Sequence, residues 1–492
     1  MRSSTNLLIL SLFLVLSLVG IWNHEIWLDE SHHWLLARDS DTFADFLRNT
    51  RFEGHPILWN ILLFIITRFT SDPLWMQVVH VLIASGAIWV FLRNTSFNFW
   101  FKLLFVFGYF MFYEFNIISR NYILGVLFLF LACTYYNERK KWIWIALFLA
   151  LAANTHLMFW VIAVAFAMFI ALGHRDIFKS ADQKPWLPVS FFVAGLAIAV
   201  FQMIPPQGAS LYGHLNFELA SGKFVSGFVS FFKGLVPVPD FRTVHFWNSN
   251  LLVNLSKPIS GALSLAVYAL PWLLFRKNKN VLIFSYLALI GTQLFFFFTQ
   301  LSATRYFGMT FVIFILAVWL DHHKTRTDQG TKGTLWKVVV YGILGVQAVA
   351  GVIAYSMDLR HSFSSGKEVA AFLQENNLDD RTVITPFCQG TIIASDLQKK
   401  VYFLCGESMQ SYCNWNADCE RGVSNAQIIE KLTHSSLKGN FVFVAKSDLA
   451  APEPLVWQQI NDRLRVRWLS TLKPQVVRRV DYSIYEIELA DE

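Results

Sequence analysis

Four ionisable residues that could carry out acid–base or metal chemistry stand together near the start of the chain. The stretch reads Trp27-Leu28-Asp29-Glu30-Ser31-His32-His33-Trp34. It follows the first hydrophobic segment, Leu7 to Trp22, so two carboxylates and two imidazoles lie at the edge of a membrane. Ionisable groups in this position are costly and usually functional. A general base, a metal ligand or an orienting carboxylate could come from this loop; the alternative is that its charges only face water.

Asp29 is the candidate general base of this loop. A carboxylate near lipid headgroups is partly desolvated, so its pKa is expected to rise toward a useful range. Adjacent residues on a helix point about 100° apart, so Asp29 and Glu30 are not expected to face the same substrate atom. Glu30 is therefore the second candidate for the base, or it orients the acceptor. Asp29 and His33 are four residues apart and share a helix face, which makes His33 a candidate substrate contact.

Two arginines begin apolar segments on one predicted side of the membrane, Arg120 and Arg305. The guanidinium fork suits phosphate because it donates two parallel hydrogen bonds. We predict both as phosphate-binding residues, with Tyr122 and Tyr306 beside them; the alternative is that each arginine only reaches lipid headgroups. Glu114, about one and a half helical turns before Arg120, is predicted to pair with that arginine or to lie in the site.

A second polar cluster, Glu53-Gly54-His55-Pro56, closes the loop before the chain becomes apolar at Ile57. Two roles for His55 stay open. It could bind phosphate, or it could join Asp29 and Glu53 around a divalent metal ion, and no ligand spacing in the chain is diagnostic of a metal site. His156, at the junction of two apolar segments, is predicted to be structural.

The composition places the chain among polytopic membrane proteins. Of its 492 residues, 55% are hydrophobic and only 15% are charged, a balance that soluble domains do not have. The net charge of +7 could indicate nucleic acid, but the lysines and arginines fall in short loops between apolar segments, as cytoplasmic loops do. We therefore exclude a nucleic-acid partner. Residues 1–22 are interpreted as an uncleaved signal anchor with the N-terminus inside.

About 11–13 membrane segments are expected, several of them shorter than the ~20 residues that a spanning helix needs. They lie at 5–22, 57–70, 74–92, 99–117, 122–137, 142–156, 157–173, 187–204, 258–275, 281–300, 306–320 and 336–356. Basic loops at 139–141, 276–279 and 322–326 predict the cytoplasmic face. Segment 57–70 is then expected to enter only partway or to lie tilted at the outer surface; the alternative places loop 93–102 outside. The outer loop 205–257 is expected to hold an interfacial helix over Phe217–Leu235.

Residues 358–492 are more polar and predict a separate domain after the membrane domain of residues 1–357. Short alternating apolar runs predict strands at 383–385, 401–404, 441–444, 466–469 and 482–489. Helices are expected over Ser365–Asn376 and Ser424–Thr433. Strands that alternate with helices predict a small three-layer α/β domain, and we expect it to be extracytoplasmic.

Four of the five cysteines fall in this domain, at Cys388, Cys405, Cys413 and Cys419. Clustered cysteines after an outward crossing favour disulfides in an oxidising compartment. A zinc site is the alternative, although the spacings contain no C-x-x-C pair. Cys133, inside an apolar segment, is expected to be a small packing residue.

The order of these features resembles the GT-C superfamily of membrane glycosyltransferases. The shared features are one N-terminal span, the Asp29-Glu30 pair after it and, about twenty residues later, a His-Pro-x-Leu-Trp start to the next apolar helix. The nearest branches are the protein O-mannosyltransferases and the lipid A aminoarabinose transferases. The resemblance covers residues 1–320 as architecture but only about thirty residues as motif. The aminoarabinose transferases have a lysine before a Pro-Pro pair, where this chain has His55 before a single Pro56.

This resemblance implies an enzyme that transfers a sugar, with inversion, from a polyprenyl-phosphate donor to an extracytoplasmic lipid, glycan or protein. It implies that the first extracytoplasmic loop holds the acidic catalytic residue, here Asp29 or Glu30, and that a divalent metal is used by some members. Membrane lipids are the other expected partners. A bacterial inner or plasma membrane, as part of the cell envelope, is the expected location.

Two other classes of function stay open from the residues alone. A transporter or flippase of lipid-linked saccharides would favour repeat symmetry and helices interrupted at the membrane midplane. The sequence has no internal repeat, and its ionisable clusters lie at one surface. The third class is a non-catalytic membrane scaffold that presents the C-terminal domain to a partner.

Overall fold

The computed structural model describes residues 2–174, 185–204, 206, 227–299, 303–327, 333–413, 424–446, 449, 453, 456–472, 475–478 and 482–490. Among these residues, helices and their connections extend as far as Asp358, and a mixed sheet with its own helices follows. Helices suit the apolar part because backbone polar groups in lipid must be satisfied within their own segment.

The helices before the sheet have the following bounds. They are α1 Arg2–Asn23, α2 Leu28–Arg38, α3 Phe43–Asn49, α4 Leu58–Ile66, α5 Leu74–Asn94, α6 Phe99–Val106, α7 Tyr122–Tyr135, α8 Trp142–Ala153, α9 Leu157–Gly173, α10 Trp186–Met203, α11 Leu251–Leu255, α12 Lys257–Phe275, α13 Lys279–Thr299, α14 Thr304–Thr327 and α15 Thr334–Asp358. Short 3-10 turns occupy Thr50–Phe52, Arg139–Lys141 and Phe231–Gly234.

Within the described part of the chain, seven helices are long and apolar enough to cross a membrane: α1, α5, α10, α12, α13, α14 and α15. The helices α7 and α9 are apolar but shorter. In the most apolar stretch of α14, 94% of the residues are buried inside the protein, whereas in that of α10 only 11% are. The helix α14 is therefore central and α10 is peripheral. The predicted class, a polytopic α-helical membrane protein, is confirmed.

The expectation that segment 57–70 does not cross fully agrees with the length of its helix. The helix α4 has only nine residues, so at ~1.5 Å per residue it is about 13 Å long and cannot span a hydrocarbon core of ~30 Å. Its Trp59 and Leu63 are buried in a core with Trp34 and Leu35 of α2. This short helix therefore supports the loop that contains Asp29.

The prediction of one continuous span over 99–117 is wrong. The helix α6 ends at Val106, and after a break at Gly108 the chain continues as a π-helix over Tyr109–Glu114. The helix α15 approaches closely here, because a Cβ at Gly351 would lie 2.6 Å from the Phe107 carbonyl oxygen. Isolated π-turns occur frequently at functional sites, and this one buries Glu114.

The described C-terminal residues form one seven-stranded sheet with the order β3-β2-β1-β4-β7-β6-β5. The strand β1 is parallel to its neighbours β2 and β4, and the other neighbouring pairs are antiparallel. The strands are β1 Val383–Thr385, β2 Val401–Phe403, β3 Ser408–Gln410, β4 Gly439–Ala445, β5 Trp457–Gln459, β6 Leu464–Thr471 and β7 Ser483–Leu489.

Helices cover both faces of this sheet, which confirms the predicted three layers. The helices α16 (Gly366–Glu375) and α17 (Gly390–Leu397) pack on one face, and α18 (Asn425–His434) packs on the other. Successive strand residues point to opposite faces, so Val383 joins the first core and Ile384 the second. The five predicted strands and two predicted helices are confirmed, whereas β3, β5 and α17 escaped prediction because they are too short for a clear period.

The first face of the sheet shares its core with the loop region before α5. Trp34 of α2 and Trp59 of α4 belong to one apolar cluster with Val369 of α16 and Phe403 of β2. The helix α2 also packs on α17. Apolar burial holds these parts together, so the loop with Asp29 and the C-terminal sheet form one packed unit at one end of the helices.

The cysteine prediction is confirmed for one pair. Cys388 and Cys413 form a disulfide with a Cα–Cα distance of 5.0 Å, and Cys405 packs against this pair. Cys419 lies outside the described residues. Cys133 is buried and free, as expected of a packing residue. Most of the expected interfacial helix over Phe217–Leu235 also lies outside the described residues.

Candidate active site

The side chain of Glu30 caps the start of α2. Trp27 is the N-cap residue, and its backbone N–H donates to Glu30 Oε2 at 3.1 Å. Asp29 and Glu30 therefore occupy the first helical turn, where the helix dipole favours negative charge. Their side chains diverge because they are adjacent on the helix, and the two acids contact different groups.

Asp29 contacts two arginines that come from distant parts of the chain. Arg120, two residues before α7, donates from Nη1 to Asp29 Oδ2. Arg305, in the first turn of α14, places Nη2 3.2 Å from the same oxygen. The Asp29 side chain is 20% exposed, whereas those of Arg120 and Arg305 are 5% and 11% exposed. The candidate base and both candidate phosphate-binding residues thus meet at one point.

The expectation that the pKa of Asp29 rises is wrong. Burial alone would raise this pKa, but the guanidinium groups of Arg120 and Arg305 stabilise the carboxylate and hold the pKa of Asp29 below its usual range. Asp29 is therefore ionised at neutral pH. Its basicity depends on what else the two guanidinium groups contact.

Glu30 is fully buried and its oxygens bind groups inside the protein. Oε1 accepts the backbone N–H of Ser119 at 2.6 Å, and Oε2 lies 3.4 Å from His24 Nε2. The other nitrogen of His24 lies 2.8 Å from Asp358 Oδ2 at the end of α15. Glu30 thus joins the end of α1, the start of α2 and the segment before Arg120, which favours a positioning role.

His80 of α5 holds the loop that carries Arg120. Its Nδ1 lies 3.0 Å from the carbonyl oxygen of Asn116, and its Nε2 lies 2.8 Å from that of Arg120. Asn116 in turn donates to Ser17 Oγ of α1 at 2.7 Å. Sequence reasoning missed His80, because a lone histidine in an apolar helix gives no signal of what it contacts.

Three aromatic rings surround the guanidinium group of Arg305. Its Cζ lies 5.2 Å from the ring centre of Trp27, 5.7 Å from that of Trp247 and 4.9 Å from that of Tyr306. Such cation–π contacts hold a desolvated guanidinium group in place. Trp247, in the loop before α11, was also missed from the sequence because no chemical motif accompanies it.

Glu114 binds one of the aromatic residues around Arg305, Trp247. Its Oε2 accepts the indole N–H of Trp247 at 3.1 Å and the hydroxyl of Tyr109 at 2.9 Å. Among the described residues it therefore reaches Arg305 through Trp247, and the predicted ion pair with Arg120 is not formed. Its position beside the site agrees with the second predicted role.

Beside the arginines lies a group of imidazoles around Glu53. His32 Nε2 is 2.6 Å from Glu53 Oε1, and His33 Nδ1 is 3.5 Å from Glu53 Oε2. Possible ligand atoms of His33, Glu53 and His55 all lie within 4.8 Å of one another, which suits a metal ion. The sequence-based set included Asp29 in place of His33, but the arginines engage that carboxylate.

Burial decides the charge of two of these imidazoles. It lowers the pKa of His33 well below its usual range and that of His55 to about 4. A neutral imidazole offers a lone pair to a metal but no positive charge to a phosphate. The geometry therefore favours the metal-ligand role of His55, and its nitrogen and carboxylate partners suit zinc or manganese.

The ring of His156 packs against three other rings of the site. Its ring centre lies 6.0 Å from that of His55, 5.3 Å from that of Tyr122 and 5.9 Å from that of Tyr306. Its Nδ1 accepts the backbone N–H of Met158 at 3.2 Å and caps α9, which agrees with the predicted structural role.

Buried donors next to Asp29 are left without a partner among the described residues. They are Arg120 Nε, Arg305 Nε and the hydroxyl of Tyr122. Buried polar groups are nearly always hydrogen-bonded. The site therefore offers several unused donors, beside two positive charges, to a ligand with acceptor oxygens.

Two solved structures share this architecture, and both are ArnT from Cupriavidus metallidurans. The apo structure matches with a TM-score of 0.57 at 12% sequence identity, over 98% of this chain and 97% of that chain. The structure bound to undecaprenyl phosphate matches with a TM-score of 0.51 at the same identity and coverage.

No protein-family model matches the chain, and no curated protein sequence matches it. At 12% identity the structural matches establish the fold alone. The chain therefore has the GT-C fold that the sequence resemblance implied, with its C-terminal α/β domain.

Proposed function

We propose that the chain is an integral membrane glycosyltransferase that moves a sugar from a polyprenyl-phosphate donor to an extracytoplasmic lipid, glycan or protein. The observation that carries the proposal is the contact of Asp29 with Arg120 and Arg305, which both keep an unused N–H donor. The shared fold with ArnT supports it, as does the undecaprenyl phosphate bound in one ArnT structure.

Arg120 and Arg305 are the proposed phosphate-binding residues. As the bond between the sugar and the phosphate oxygen breaks, negative charge develops on the departing polyprenyl phosphate. Two buried guanidinium groups stabilise that charge strongly because they are already oriented and little water surrounds them. The hydroxyl of Tyr122 is a further donor beside them, and Tyr306 holds Arg305 in place.

Asp29 is the proposed general base. It takes the proton of the acceptor hydroxyl while the acceptor oxygen forms its bond to the sugar. In the free protein Asp29 is a weak base because two guanidinium groups stabilise its carboxylate. A donor phosphate competes for those groups, so the pKa of Asp29 rises when the donor binds. Donor binding thereby prepares the base for the acceptor.

His33, Glu53 and His55 are the residues that would hold a divalent cation. Such an ion supplies positive charge for phosphate oxygens. In this proposal residues 1–357 form the catalytic membrane domain, and the extracytoplasmic domain of residues 358–492 packs over the site through α2 and α4.

The test uses the full chain, purified in lipid nanodiscs, with a panel of labelled undecaprenyl-phosphate sugars. We expect release of undecaprenyl phosphate by the wild type, and a rate about 10²–10⁴-fold lower for Asp29→Asn, with donor binding retained. The matched control is Asp72→Asn, because Asp72 is an exposed acid that accepts the backbone N–H of Leu74.

Near wild-type turnover by Asp29→Asn would remove Asp29 from the proposed role. Movement of an intact lipid-linked sugar between leaflets, without release of undecaprenyl phosphate, would instead support a flippase.

A further inference from the structure

A polar cavity lies at the end of the helices opposite to Asp29. Its volume is about 420 Å³, within the ~300–1,000 Å³ of typical ligand pockets. Its polar lining comes from Tyr136, Asn137, His174, Asn278, Asn280 and His323. None of these residues belongs to the candidate active site, so the cavity needs a separate explanation.

The cavity and the Asp29 site are connected by the same helices. The helix α14 contains Arg305 at one end and His323 at the other, and these residues are 18 positions apart. At ~1.5 Å per residue this separation is about 27 Å, close to the ~30 Å thickness of a hydrocarbon core. The helix α9 likewise has His156 as the cap residue at one end and His174 as the cap residue at the other. The cavity therefore lies at the other membrane surface.

The short loops around the cavity carry an excess of positive charge. Residues 139–141 are Arg-Lys-Lys, and Arg276, Lys277 and Lys279 flank Asn278. Among the described residues of these loops there are two acids. Glu138 pairs with Lys141 at 3.0 Å, and Asp321 accepts a hydrogen bond from Asn278 at 3.2 Å. The six basic residues outnumber these two acids, and an excess of positive charge favours an anionic ligand.

An apolar groove of about 100 Å³ runs between α8, α9 and α10 next to this cavity. Ile170 lines both the groove and the cavity. Trp142 lines the groove and contacts His174 of the cavity, with ring centres 5.4 Å apart. Tryptophan is enriched at the headgroup level of membranes. A polar cavity in basic surroundings thus meets an apolar groove, a combination that fits a headgroup and an acyl chain.

We propose that this cavity binds the headgroup of an anionic phospholipid from the leaflet opposite to the Asp29 site, with one acyl chain in the groove. Basic pockets between transmembrane helices recognise such headgroups through their phosphate. The ligand is distinct from the sugar donor, because about one membrane thickness separates the cavity from Arg305. This inference does not rest on the proposed glycosyl transfer.

The test measures lipid binding by the full chain in detergent, with short-chain phosphatidylglycerol and phosphatidylcholine as probes. We expect phosphatidylglycerol to bind at least about tenfold more tightly, because each basic residue near the headgroup contributes to anion binding. Lys279→Glu should weaken that binding about tenfold or more. Lys337→Glu is the matched control, since Lys337 is exposed at the start of α15 and is not next to a lining residue, whereas Lys279 stands between Asn278 and Asn280 of the lining.

A second variant fills the cavity without a charge change. A Cβ at Gly173 would meet only Asn280 Nδ2, at 3.7 Å, so Gly173→Leu has room for its first carbon and occupies the space of the ligand. It should abolish the preference for phosphatidylglycerol. Gly261→Leu is its control, because a Cβ there would meet nothing within 4 Å.

Equal affinity for the two lipids would overturn the proposal, as would unchanged phosphatidylglycerol affinity in both Lys279→Glu and Gly173→Leu. Glycerol 3-phosphate or inorganic phosphate that binds as tightly as phosphatidylglycerol would make this a site for soluble anions instead. Since binding is the readout, a protein without glycosyltransferase activity would still give a clear answer.

Discussion

Glu30 Oε1 accepts the backbone N–H of Ser119 at 2.6 Å, so the acid next to Asp29 holds the residue next to Arg120. Asp29 itself contacts the side chain of Arg120. The same Glu30 caps α2 through the backbone N–H of Trp27. One buried carboxylate therefore fixes both partners of the central ion pair.

We expect Glu30→Gln to lower the free energy of unfolding and to weaken donor binding while the base is retained. A carboxamide accepts through one oxygen only, so Ser119 or Trp27 loses its partner, and a buried unsatisfied donor costs about 1–3 kcal/mol. Denaturant unfolding and donor titration measure the two effects, and a rise in KM with kcat retained would mark a positioning residue.

The matched control for this variant is Asp45→Asn. Asp45 also accepts a backbone N–H at a helix start, that of Thr42, but on the exposed helix α3. Equal losses in the two variants, or none in Glu30→Gln, would contradict the positioning role.

Arg305→Ala should move the acid limb of the pH–rate profile to higher pH. The base must be ionised, so the rate is lost as the pH falls through the pKa of Asp29. In the wild type two guanidinium groups hold that pKa below its usual range. Removal of one of them raises the pKa of Asp29, and the loss of rate then begins at a higher pH. Arg305→Lys keeps the charge and should leave the limb near its wild-type position; a limb unmoved in Arg305→Ala would separate Arg305 from the base.

Arg120→Ala and Arg305→Ala should each weaken donor binding by about 1.5–3 kcal/mol, the value of a hydrogen bond to a charged group, or about 10- to 150-fold in Kd. Titration of each variant with donor lipid measures this loss. Arg276→Ala, at the opposite membrane surface, is the control and should bind the donor normally. Unchanged affinity in both arginine variants would remove Arg120 and Arg305 from the phosphate site.

Mn²⁺ or Zn²⁺ should raise the Tm of the wild-type protein by binding to His33, Glu53 and His55. A ligand that binds only the folded state stabilises it, and burial keeps these imidazoles neutral and able to coordinate. Glu53→Gln should abolish the rise, whereas His434→Ala, a change at an exposed histidine of α18, should not. A rise that persists in Glu53→Gln would place the ion elsewhere.

The residues of the site could be predicted, but their contacts could not. Asp29, Arg120 and Arg305 each stand at the end of an apolar segment, a boundary that hydropathy locates well. Arg120 and Arg305 are 91 and 276 residues from Asp29 in the chain. Whether the three side chains meet therefore depends on how distant helices pack together. The expectation that the pKa of Asp29 rises was wrong for this reason. The two arginines lower the pKa of this carboxyl by more than burial raises it.

Positions that depend on close packing were also beyond prediction. The segment 99–117 has the composition of a span, yet its helix breaks at Gly108, where α15 approaches closely at Gly351. The C-terminal strands were predictable because β4 and β7, which are buried on both faces of the sheet, stand out as short runs rich in β-branched and aromatic residues. Their shared core with α2 was not, since nothing in Trp34 or Trp59 indicates a partner more than 300 residues away.

The last prediction concerns the side of the membrane on which the site lies. Asp29, Arg120, Arg305 and residues 358–492 are predicted to lie together on the side away from the cytoplasm. Basic loops mark the opposite end as cytoplasmic, and α15 leads from that end to the sheet. A shared core packs the sheet on α2 and α4, so one measurement on the C-terminal domain also locates Asp29.

Cysteines that are introduced one at a time and labelled with a membrane-impermeant maleimide test this arrangement. Asp380 has a 99% exposed side chain in the C-terminal domain, and Lys140 is exposed in the loop at the opposite end. Asp380→Cys should label in intact cells, whereas Lys140→Cys should label only after permeabilisation. The disulfide of Cys388 and Cys413 fits an oxidising compartment, so these native thiols should need reductant before they label. Protection of Asp380→Cys in intact cells would place the sheet and Asp29 in the cytoplasm and remove the basis for an extracytoplasmic acceptor.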